Sequence, residues 1–553
     1  MTGETALQTE APSRKLPDLQ EGCAAIGALL LAGAAMYPEA VKVLLVVIDA
    51  ATARVVSPAI KTGQLPTLQR LADAGCLHES VTMFPSITPA ATATIITGHY
   101  PAKSGIVGAS WYDEAAGQVA YFGDDFWVMA REGFRAFLRD FLIGLNGDRL
   151  KAPTLFQLVE RAGKSAMCLN YLIFKGDVEH TVKIPLLLSL LPGVSRTEVI
   201  KGPSILCLGD FVATRTMRGK PLIDKGGISH RFGMDDASTG ELLVEVAEDH
   251  AFADFNVAYF ADNDYRSHEI GPHAALKVVA EVDRSLARMF EAAGGMERML
   301  QDTYVIITSD HGHCEILDDA ERATIRLDRT LDGFRQAALG QPWADGDEIM
   351  ICPNMRAAEV YLRHHDESSL GRVIERALED RRVDHAFWRV EAEGAARNRY
   401  AARNARGHLD FWRQDGGQSA QDAFGTPWSW RGELSVLDAQ VEDGRLRWND
   451  YPNAFERIAG ALDEPKSGAV WFTARPGCEF EVPGGAAHVG GASHGGLHAL
   501  ESLCPFVIAG PTRVDLPRHL RSVDIAPLCL ELLGVPAPFR VGEPRSFFPE
   551  RFS

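Results

Sequence analysis

The sequence lacks several features that would point to an exported, membrane or nucleic-acid-binding protein. Its nine cysteines are scattered over 553 residues without a Cys-x-x-Cys pair, which favours free thiols in a reducing compartment over a disulfide framework. The apolar stretch at residues 23–36 is too short to cross a bilayer. A formal net charge of −18 argues against a nucleic-acid duplex as partner, because such a surface needs a basic patch. We therefore expect no transmembrane span and favour a cytoplasmic location.

The N-terminal segment, residues 1–39, allows two interpretations. It is a disordered tail followed by a buried Ala/Leu-rich helix, or residues 23–36 are the apolar part of an atypical export signal. Arg14 and Lys15 lie upstream as a signal requires, but Asp18 and Glu21 interrupt the pattern. We favour the helix and keep export as the alternative.

Most of the remaining chain alternates short apolar strands with amphipathic helices, which is typical of α/β proteins. We predict a mostly parallel central sheet with helices on both faces, formed by residues 40–316 and 464–553, with core strands at 468–474 and 505–510. Charge rises and strands shorten in residues 317–463, which predicts an inserted α+β cap. The apolar residues 184–194 are either a buried cap helix or one wall of an apolar pocket.

A loop with two prolines leads into a run of small and β-branched residues. Pro85 and Pro89 discourage regular structure on either side of Thr88, and residues 90–97 predict a helix closed by Gly98. A hydroxyl at a helix N-terminus lies in a positive field, which suits a nucleophile that attacks an anion. An ordinary N-cap threonine fits this stretch equally well.

Polar residues with metal-binding side chains adjoin the predicted strands. In an open α/β sheet the carboxyl ends of strands converge on one edge, where ligands bind. Each such residue alone is usually a cap or structural, but together they form a strong signal. They are Asp49, Asp264, His268, Asp310, His311 and His494.

These motifs, in this order, resemble the alkaline phosphatase superfamily, and within it the type I phosphodiesterase/nucleotide pyrophosphatase branch. The similarity covers roughly residues 40–315 and 465–535 and omits the cap. It implies two zinc sites, with Thr88 as the nucleophile and as a ligand of the second. The implied ligands are Asp264, His268 and His494 for one ion, and Asp49, Asp310 and His311 for the other.

The resemblance implies a two-zinc hydrolase of phosphate esters, foremost a phosphodiesterase, with a covalent phosphothreonine intermediate. Mn²⁺ or another divalent ion could substitute for zinc. Three carboxylates and the Thr88 alkoxide balance two divalent ions, which leaves a neutral site for a small anionic phosphate substrate. Zinc lowers the pKa of bound water from 15.7 to about 7 and should act on the threonine hydroxyl in the same direction.

The chain departs from the family pattern around the phosphate. Ala91 replaces the usual asparagine, Thr92 the following histidine, and Ala109 a further asparagine, so the substrate class stays open. His313 and Glu315 are expected to support the ligands or to be structural. The candidate substrate-binding residues are Ala91, Thr92, Lys103, Trp111, Tyr112, Lys175 and His498.

Other functions were weighed against this hypothesis. A phosphonate hydrolase would need cations such as Lys103 or Lys175 for its carbon leaving group, and Ala91 gives weight to a catalytically silent binding protein. A sulfatase is disfavoured because no Cys/Ser-x-Pro-x-Arg motif surrounds Thr88. A cofactor-independent phosphoglycerate mutase would need serine at that position. The sequence does not indicate an oligomeric state.

Overall fold

The computed structural model describes residues 41–122, 139–183, 197–222, 226, 228–364, 366–390, 398–413, 419–481 and 487–538. The predictions for residues 1–39 and 184–194 lie outside the described residues. In chain order, the strands up to residue 308 are β1 (Lys42–Ile48), β2 (Cys76–Val81), β3 (Ser110–Asp113), β4 (Gln118–Tyr121), β5 (Ala166–Leu169), β6 (Val178–Lys183), β7 (Thr197–Gly202), β8 (Ile205–Leu208), β9 (Val212–Ala213), β10 (Phe255–Phe260) and β11 (Thr303–Thr308).

The later strands include those of the predicted insertion. They are β12 (Cys314–Glu315), β13 (Thr324–Ile325), β14 (Ile349–Asn354), β15 (Ala357–Leu362), β16 (Val383–Val390), β17 (Arg399–Asn404), β18 (Gly407–Arg413), β19 (Ser419–Gln421), β20 (Pro427–Gly432), β21 (Ala439–Glu442), β22 (Arg445–Trp448), β23 (Val470–Ala474), β24 (Glu479–Phe480), β25 (Ala492–Ser493), β26 (Leu503–Ala509) and β27 (Leu520–Arg521).

The helices lie between these strands. The α-helices are α1 (Ala53–Lys61), α2 (Pro66–Ala74), α3 (Thr88–Thr97), α4 (Pro101–Ser104), α5 (Leu155–Arg161), α6 (Asp236–Glu248), α7 (Asp262–Ile270), α8 (Pro272–Ala292), α9 (Met296–Met299), α10 (Ala320–Ala323), α11 (Leu327–Thr330), α12 (Glu367–Leu378), α13 (Ala454–Leu462), α14 (Ala499–Ser502) and α15 (Ser522–Leu532). Residues Arg139–Arg149 form a π-helical segment, and Ile228–Gly233 and Leu434–Leu437 are short 3-10 segments.

The central sheet confirms the predicted α/β fold class. Among the described residues it has nine strands in the order β27-β2-β26-β11-β1-β10-β5-β8-β9. Strand β1 is parallel to both of its neighbours, since Val43 pairs with Phe255 of β10 and with Tyr304 of β11. Strand β26 is antiparallel to β11. Apolar and polar residues do not alternate along β1, because both faces of this central strand are buried.

Helices cover this sheet along apolar stripes. Side chains of α1, α2, α6 and α8 share one core cluster with β1, β10 and β11. Helix α8 contributes residues at helical spacing, such as Val279, Val282 and Leu286, while its other side stays polar. Helix α3 packs against α15, and every residue of α3 after Thr88 is buried. Close packing on all sides explains why α3 consists of small and β-branched residues.

A second sheet corrects one expectation about the insertion. Among the described residues it has ten strands in the order β14-β15-β23-β16-β17-β18-β20-β19-β22-β21. Strand β23 was predicted to belong to the central sheet, but it lies between β15 and β16 and is antiparallel to both. A buried apolar run predicts a strand but not its partner, because pairing depends on contacts distant in sequence.

Two expectations from composition can be compared with the structure. No helix within the described ranges is both long and apolar enough to cross a membrane. The eight cysteines in these ranges are all free thiols, and seven of them are buried. This agrees with the absence of a disulfide framework that the cysteine spacing predicts.

Candidate metal centre

The predicted ligands follow strands whose carboxyl ends are neighbours. Asp49 follows β1, Asp264 and His268 lie on α7 directly after β10, and Asp310 and His311 follow β11. Because β10, β1 and β11 are parallel and adjacent, these side chains reach the same edge of the sheet. His494 arrives from elsewhere, after β25, which is antiparallel to β12.

A first group of possible ligands consists of Asp49, Asp310 and His311, whose ligand atoms all lie within 4.8 Å of one another. The Nε2 atom of His311 is 3.6 Å from Asp49 Oδ1 and 3.6 Å from Asp310 Oδ2. The same Nε2 atom is 3.0 Å from the hydroxyl oxygen of Thr88. The predicted nucleophile therefore borders this group.

Hydrogen bonds engage one oxygen atom of each carboxylate and leave the other oxygen atom for a ligand of the group. Tyr259 donates its hydroxyl hydrogen to Asp49 Oδ2, and Asn263 donates to the Asp49 carbonyl. The Ala50 backbone N–H donates to Asp310 Oδ1. Asp49 Oδ1 and Asp310 Oδ2 are buried and have no hydrogen-bond partner among the described residues. Such oxygens suit a cation, since unpaired buried polar atoms are otherwise costly.

The second group surrounds Asp264. Ligand atoms of Asp264, His311, His313 and His494 all lie within 4.8 Å of one another. His268 Nε2 is 3.5 Å from Asp264 Oδ2, and His494 Nε2 is 3.6 Å from Asp264 Oδ1. Asp264 and His494 of the predicted set thus belong to this group together with His313, and the third predicted ligand, His268, lies beside Asp264.

Backbone carbonyls set the orientation of two of these imidazoles. His268 Nδ1 is 2.8 Å from the Ala492 carbonyl oxygen, and His494 Nδ1 is 2.9 Å from the Ser86 carbonyl oxygen. Because a carbonyl only accepts, each Nδ1 carries the hydrogen and each Nε2 keeps a lone pair. This is the arrangement that metal-binding histidines commonly show.

The loop before Thr88 is tied to the loop of His494. Ser86 donates its hydroxyl hydrogen to the Gly496 carbonyl and accepts a hydrogen bond from the Gly495 backbone N–H. Thr88 is the first residue of α3 and remains half-buried, whereas the rest of the helix is buried. Its hydroxyl therefore lies at a helix N-terminus, beside His311, which belongs to both groups.

Burial and mutual repulsion shape the protonation of the carboxyl groups. Burial, with the charges of Asp310 and Asp264, raises the pKa of Asp49 well above its usual range. Burial also raises the pKa of Asp310, although His311 opposes it. Burial would raise the pKa of Asp264 too, but His268 and His313 outweigh it and hold that pKa well below the usual range. Asp49 and Asp310 thus hold protons more tightly than usual, and bound divalent cations would displace these protons.

The residues present fit two divalent cations. Carboxylate oxygens and imidazole nitrogens are the ligands that zinc prefers beside thiolate. The buried atom His494 Nε2, like the two oxygens of the first group, has no hydrogen-bond partner in the described part of the chain, and Asp264 Oδ1 has none with good alignment. Bound cations would satisfy such buried donors.

Two of the predicted substrate-binding residues lie on α3, the helix that begins at Thr88, and their side chains are buried. Ala91 and Thr92 are buried in α3, and the Thr92 hydroxyl donates to the Thr88 carbonyl, 2.6 Å away. Tyr171 in turn donates its hydroxyl hydrogen to the Thr92 carbonyl. These contacts stabilise the first turn of α3 and thereby hold Thr88.

The other predicted substrate residues have contacts elsewhere. Trp111 is buried and stacks on Phe122, and Tyr112 packs edge-on against Trp343 and Tyr361. The ammonium of Lys175 donates to the carbonyls of Gly147 and Leu150. His498 accepts from the Leu500 backbone N–H at the start of α14, and Lys103 is exposed on α4. None of these contacts involves Thr88, so their role towards substrate stays a prediction.

Three residues at the site carried little signal in the sequence. Tyr259 and Asn263 hold Asp49, but an aromatic on a strand and an asparagine at a helix start are common everywhere. His313 was predicted only to support the ligands or to be structural. The third position after Asp310 is a histidine, and that Asp-His-Gly-His spacing was the available hint.

The fold and the site define an α/β protein with two adjoining groups of residues able to bind metal ions beside a helix-terminal threonine. A sequence model of the family "Type I phosphodiesterase / nucleotide pyrophosphatase" matches residues 43–421. The chain belongs to this family.

Curated relatives share only short segments with this chain. The 2,3-bisphosphoglycerate-independent phosphoglycerate mutase of Helicobacter hepaticus is 32% identical over 113 residues, which are 20% of this chain and 20% of that enzyme. The corresponding enzyme of Wolinella succinogenes is 38% identical over 78 residues, 14% of this chain and 15% of that enzyme. The chain thus covers about a fifth or less of these relatives.

Solved structures are similar over almost the whole chain. Phosphonoacetate hydrolase from Sinorhizobium meliloti, in complex with phosphonoformate, has a TM-score of 0.51 and 17% identity, covering 90% of this chain and 97% of that one. Murine ectonucleotide pyrophosphatase/phosphodiesterase 5 has a TM-score of 0.51 and 14% identity, covering 91% and 97%. At this identity the similarity establishes the shared fold.

Proposed function

We propose that this protein is a two-zinc hydrolase of phosphate esters, with phosphodiesters as its preferred substrates and Thr88 as its covalent nucleophile. One observation carries the proposal. The Thr88 hydroxyl oxygen is 3.0 Å from His311 Nε2, at the border of two groups of buried donors that fit divalent cations. Membership of the family supports the reaction class.

Asp264, His268 and His494 would hold one ion, and Asp49, Asp310 and His311, with Thr88, would hold the other. When bound, such a pair of cations lowers the pKa of a hydroxyl or water and neutralises charge that develops on transferring phosphoryl oxygens. Zinc is proposed because the donors are imidazoles and carboxylates. Manganese shares the carboxylate preference and is the first substitute to test.

The protein's own groups determine where the bond changes occur. The Thr88 oxygen forms a bond to phosphorus as the bond from phosphorus to the leaving oxygen breaks, and the hydroxyl hydrogen ends on the released alcohol. Water then forms a bond to the same phosphorus and breaks its bond to Thr88, which restores the hydroxyl. The N-terminus of α3 favours the anionic group during both steps.

Phosphonate hydrolysis is the second candidate, because phosphonoacetate hydrolase shares this fold. A carbon leaving group needs a nearby cation to stabilise its negative charge. Lys175 was one expected cation, but its ammonium donates to two backbone carbonyls instead. This observation removes Lys175 as the expected cation and leaves Lys103, which is exposed on α4, as the one to test.

An activity panel on the zinc-loaded full chain tests the proposal. It compares p-nitrophenyl phosphate, bis-p-nitrophenyl phosphate, p-nitrophenyl phenylphosphonate and nucleotide diesters. We expect the highest kcat/KM for a diester, and a phosphoryl adduct on Thr88 in acid-quenched samples analysed by mass spectrometry. Two bound ions without turnover of any compound would instead identify a binding protein.

A further inference from the structure

We propose that His313 is a positioning residue that holds the carboxylate of Asp264, and that it is not itself a ligand of the ion. This inference rests on the proposed metal site and deepens it. His313 is completely buried, and its Nε2 atom is 2.9 Å from Asp264 Oδ1.

The spacing of donor atoms separates ligands from supporting residues. Two atoms that each bind one zinc at 2.0–2.1 Å in a tetrahedral arrangement are about 3.3 Å apart. His268 Nε2 is 3.5 Å from Asp264 Oδ2 and His494 Nε2 is 3.6 Å from Asp264 Oδ1, and both separations leave room for an ion between the residues. The 2.9 Å separation of His313 Nε2 from Asp264 Oδ1 is shorter than this ligand spacing and lies within the distance range of a hydrogen bond.

The ring of His313 lies close to those of two predicted ligands. Its ring lies 4.6 Å from that of His268 and 5.1 Å from that of His494, measured between ring centres. Neither ring nitrogen has a hydrogen-bond partner with good alignment among the described residues. We assign the hydrogen of the His313 ring to Nε2, which donates it to Asp264 Oδ1. This hydrogen bond leaves the other carboxylate oxygen, Oδ2, to face the ion.

The insertion provides a matched control. His385 is also completely buried beside an aspartate, with Nδ1 3.3 Å from Asp384 Oδ2. Its Nε2 is 2.7 Å from the Val436 carbonyl oxygen. His385 lies on β16 of the second sheet, outside the metal site. Removing it therefore measures the effect of losing a buried histidine that does not belong to that site.

The experiment measures zinc stoichiometry and affinity by chelator competition in wild type, His313→Ala, His313→Gln and His385→Ala. We expect His313→Ala to lower the affinity for one of the two ions by about 10–100-fold, which is the usual effect of losing a group that orients a ligand. His313→Gln should recover most of that affinity, because its amide nitrogen can donate to Asp264. His385→Ala should lower the Tm and leave both affinities unchanged.

Each other outcome has a definite meaning. Wild-type affinity for both ions in a folded His313→Ala protein overturns the positioning role while the proposed function stands. Loss of one whole zinc equivalent in both His313 variants makes the histidine a ligand and also overturns it. A wild-type protein that binds no divalent ion overturns the proposed function and this inference together.

Discussion

The two large sheets bury similar side chains, but only one of them assembles a candidate site. In the central sheet β10, β1 and β11 run parallel, so the residues that follow them meet at one edge. In the second sheet neighbouring strands are nearly all antiparallel, so successive strand ends alternate between opposite edges. Strand direction therefore explains why the candidate ligands gather beside one edge of the central sheet.

Removal of the metal ions should have the largest effect, and we expect it at the edge of the central sheet beside which the candidate ligands lie. Dialysis against a chelator should reduce turnover to background, because Thr88 then lacks its activating charge. It should also lower stability, by about 4 kcal/mol for each ion that was present at a thousandfold excess over its Kd. Activity assays and thermal melts before and after zinc return would check this. Full activity in a demonstrably metal-free sample would contradict it.

Replacement of the nucleophile should come next. Thr88→Ala should lower kcat by at least about 10³-fold with both ions still bound, since no other hydroxyl can replace it. The control is Thr94→Val, which removes a buried hydroxyl of the same helix that donates to the Ala90 carbonyl, 2.9 Å away. That control should cost about 1 kcal/mol of stability and little activity. Near-wild-type turnover of the alanine variant would remove Thr88 from the mechanism.

A matched pair of valines tests the comparison between the sheets directly. Val305 of β11 and Val360 of β15 are both completely buried, so Val→Ala should cost about 2–3 kcal/mol at each. Only Val305→Ala should also weaken zinc binding, because β11 leads directly to Asp310 and His311. Urea unfolding and zinc titration give the two readouts. Equal effects on zinc binding would show that the insertion shapes the site as strongly as the core.

The smallest expected effect is a pH-dependent one in the second sheet. Glu359 is completely buried, and burial raises its pKa well above the usual range. A carboxyl whose pKa is raised in the folded state binds its proton more tightly there than in the unfolded state. Its contribution to the free energy of unfolding is therefore fully present at low pH and is lost as the pH rises above about 4.3. Glu359→Gln removes this dependence.

Relative to wild type, the stability of the Glu359→Gln variant should increase by about 1 kcal/mol between pH 4.3 and 5.3. Its carbonyl oxygen can still accept from the Gly468 backbone N–H, which is 2.7 Å from Glu359 Oε2. Urea unfolding of both proteins over this pH range provides the measurement. A difference that does not change with pH would show that Glu359 is ionised in the folded protein.

Local patterns were enough to predict the strands around the site and the residues that follow them. The runs that became β1, β10 and β11 are continuous and apolar, and each is followed by a polar segment with an aspartate. The family resemblance supplied the order of ligands. The structure places all six predicted metal ligands and Thr88 at one edge of the central sheet; their role as ligands awaits the zinc measurements.

Other features depend on contacts that no local pattern records. Strand β23 is as apolar as β1, yet its partners are β15 and β16, more than a hundred and about eighty residues earlier. The roles of Trp111 and Lys175 likewise followed from their neighbours in space. The sequence by itself determined residue type, spacing and strand-ending positions, on which the proposed chemistry rests. Only the tertiary structure decided strand partners and that His313 faces Asp264, because both depend on long-range packing.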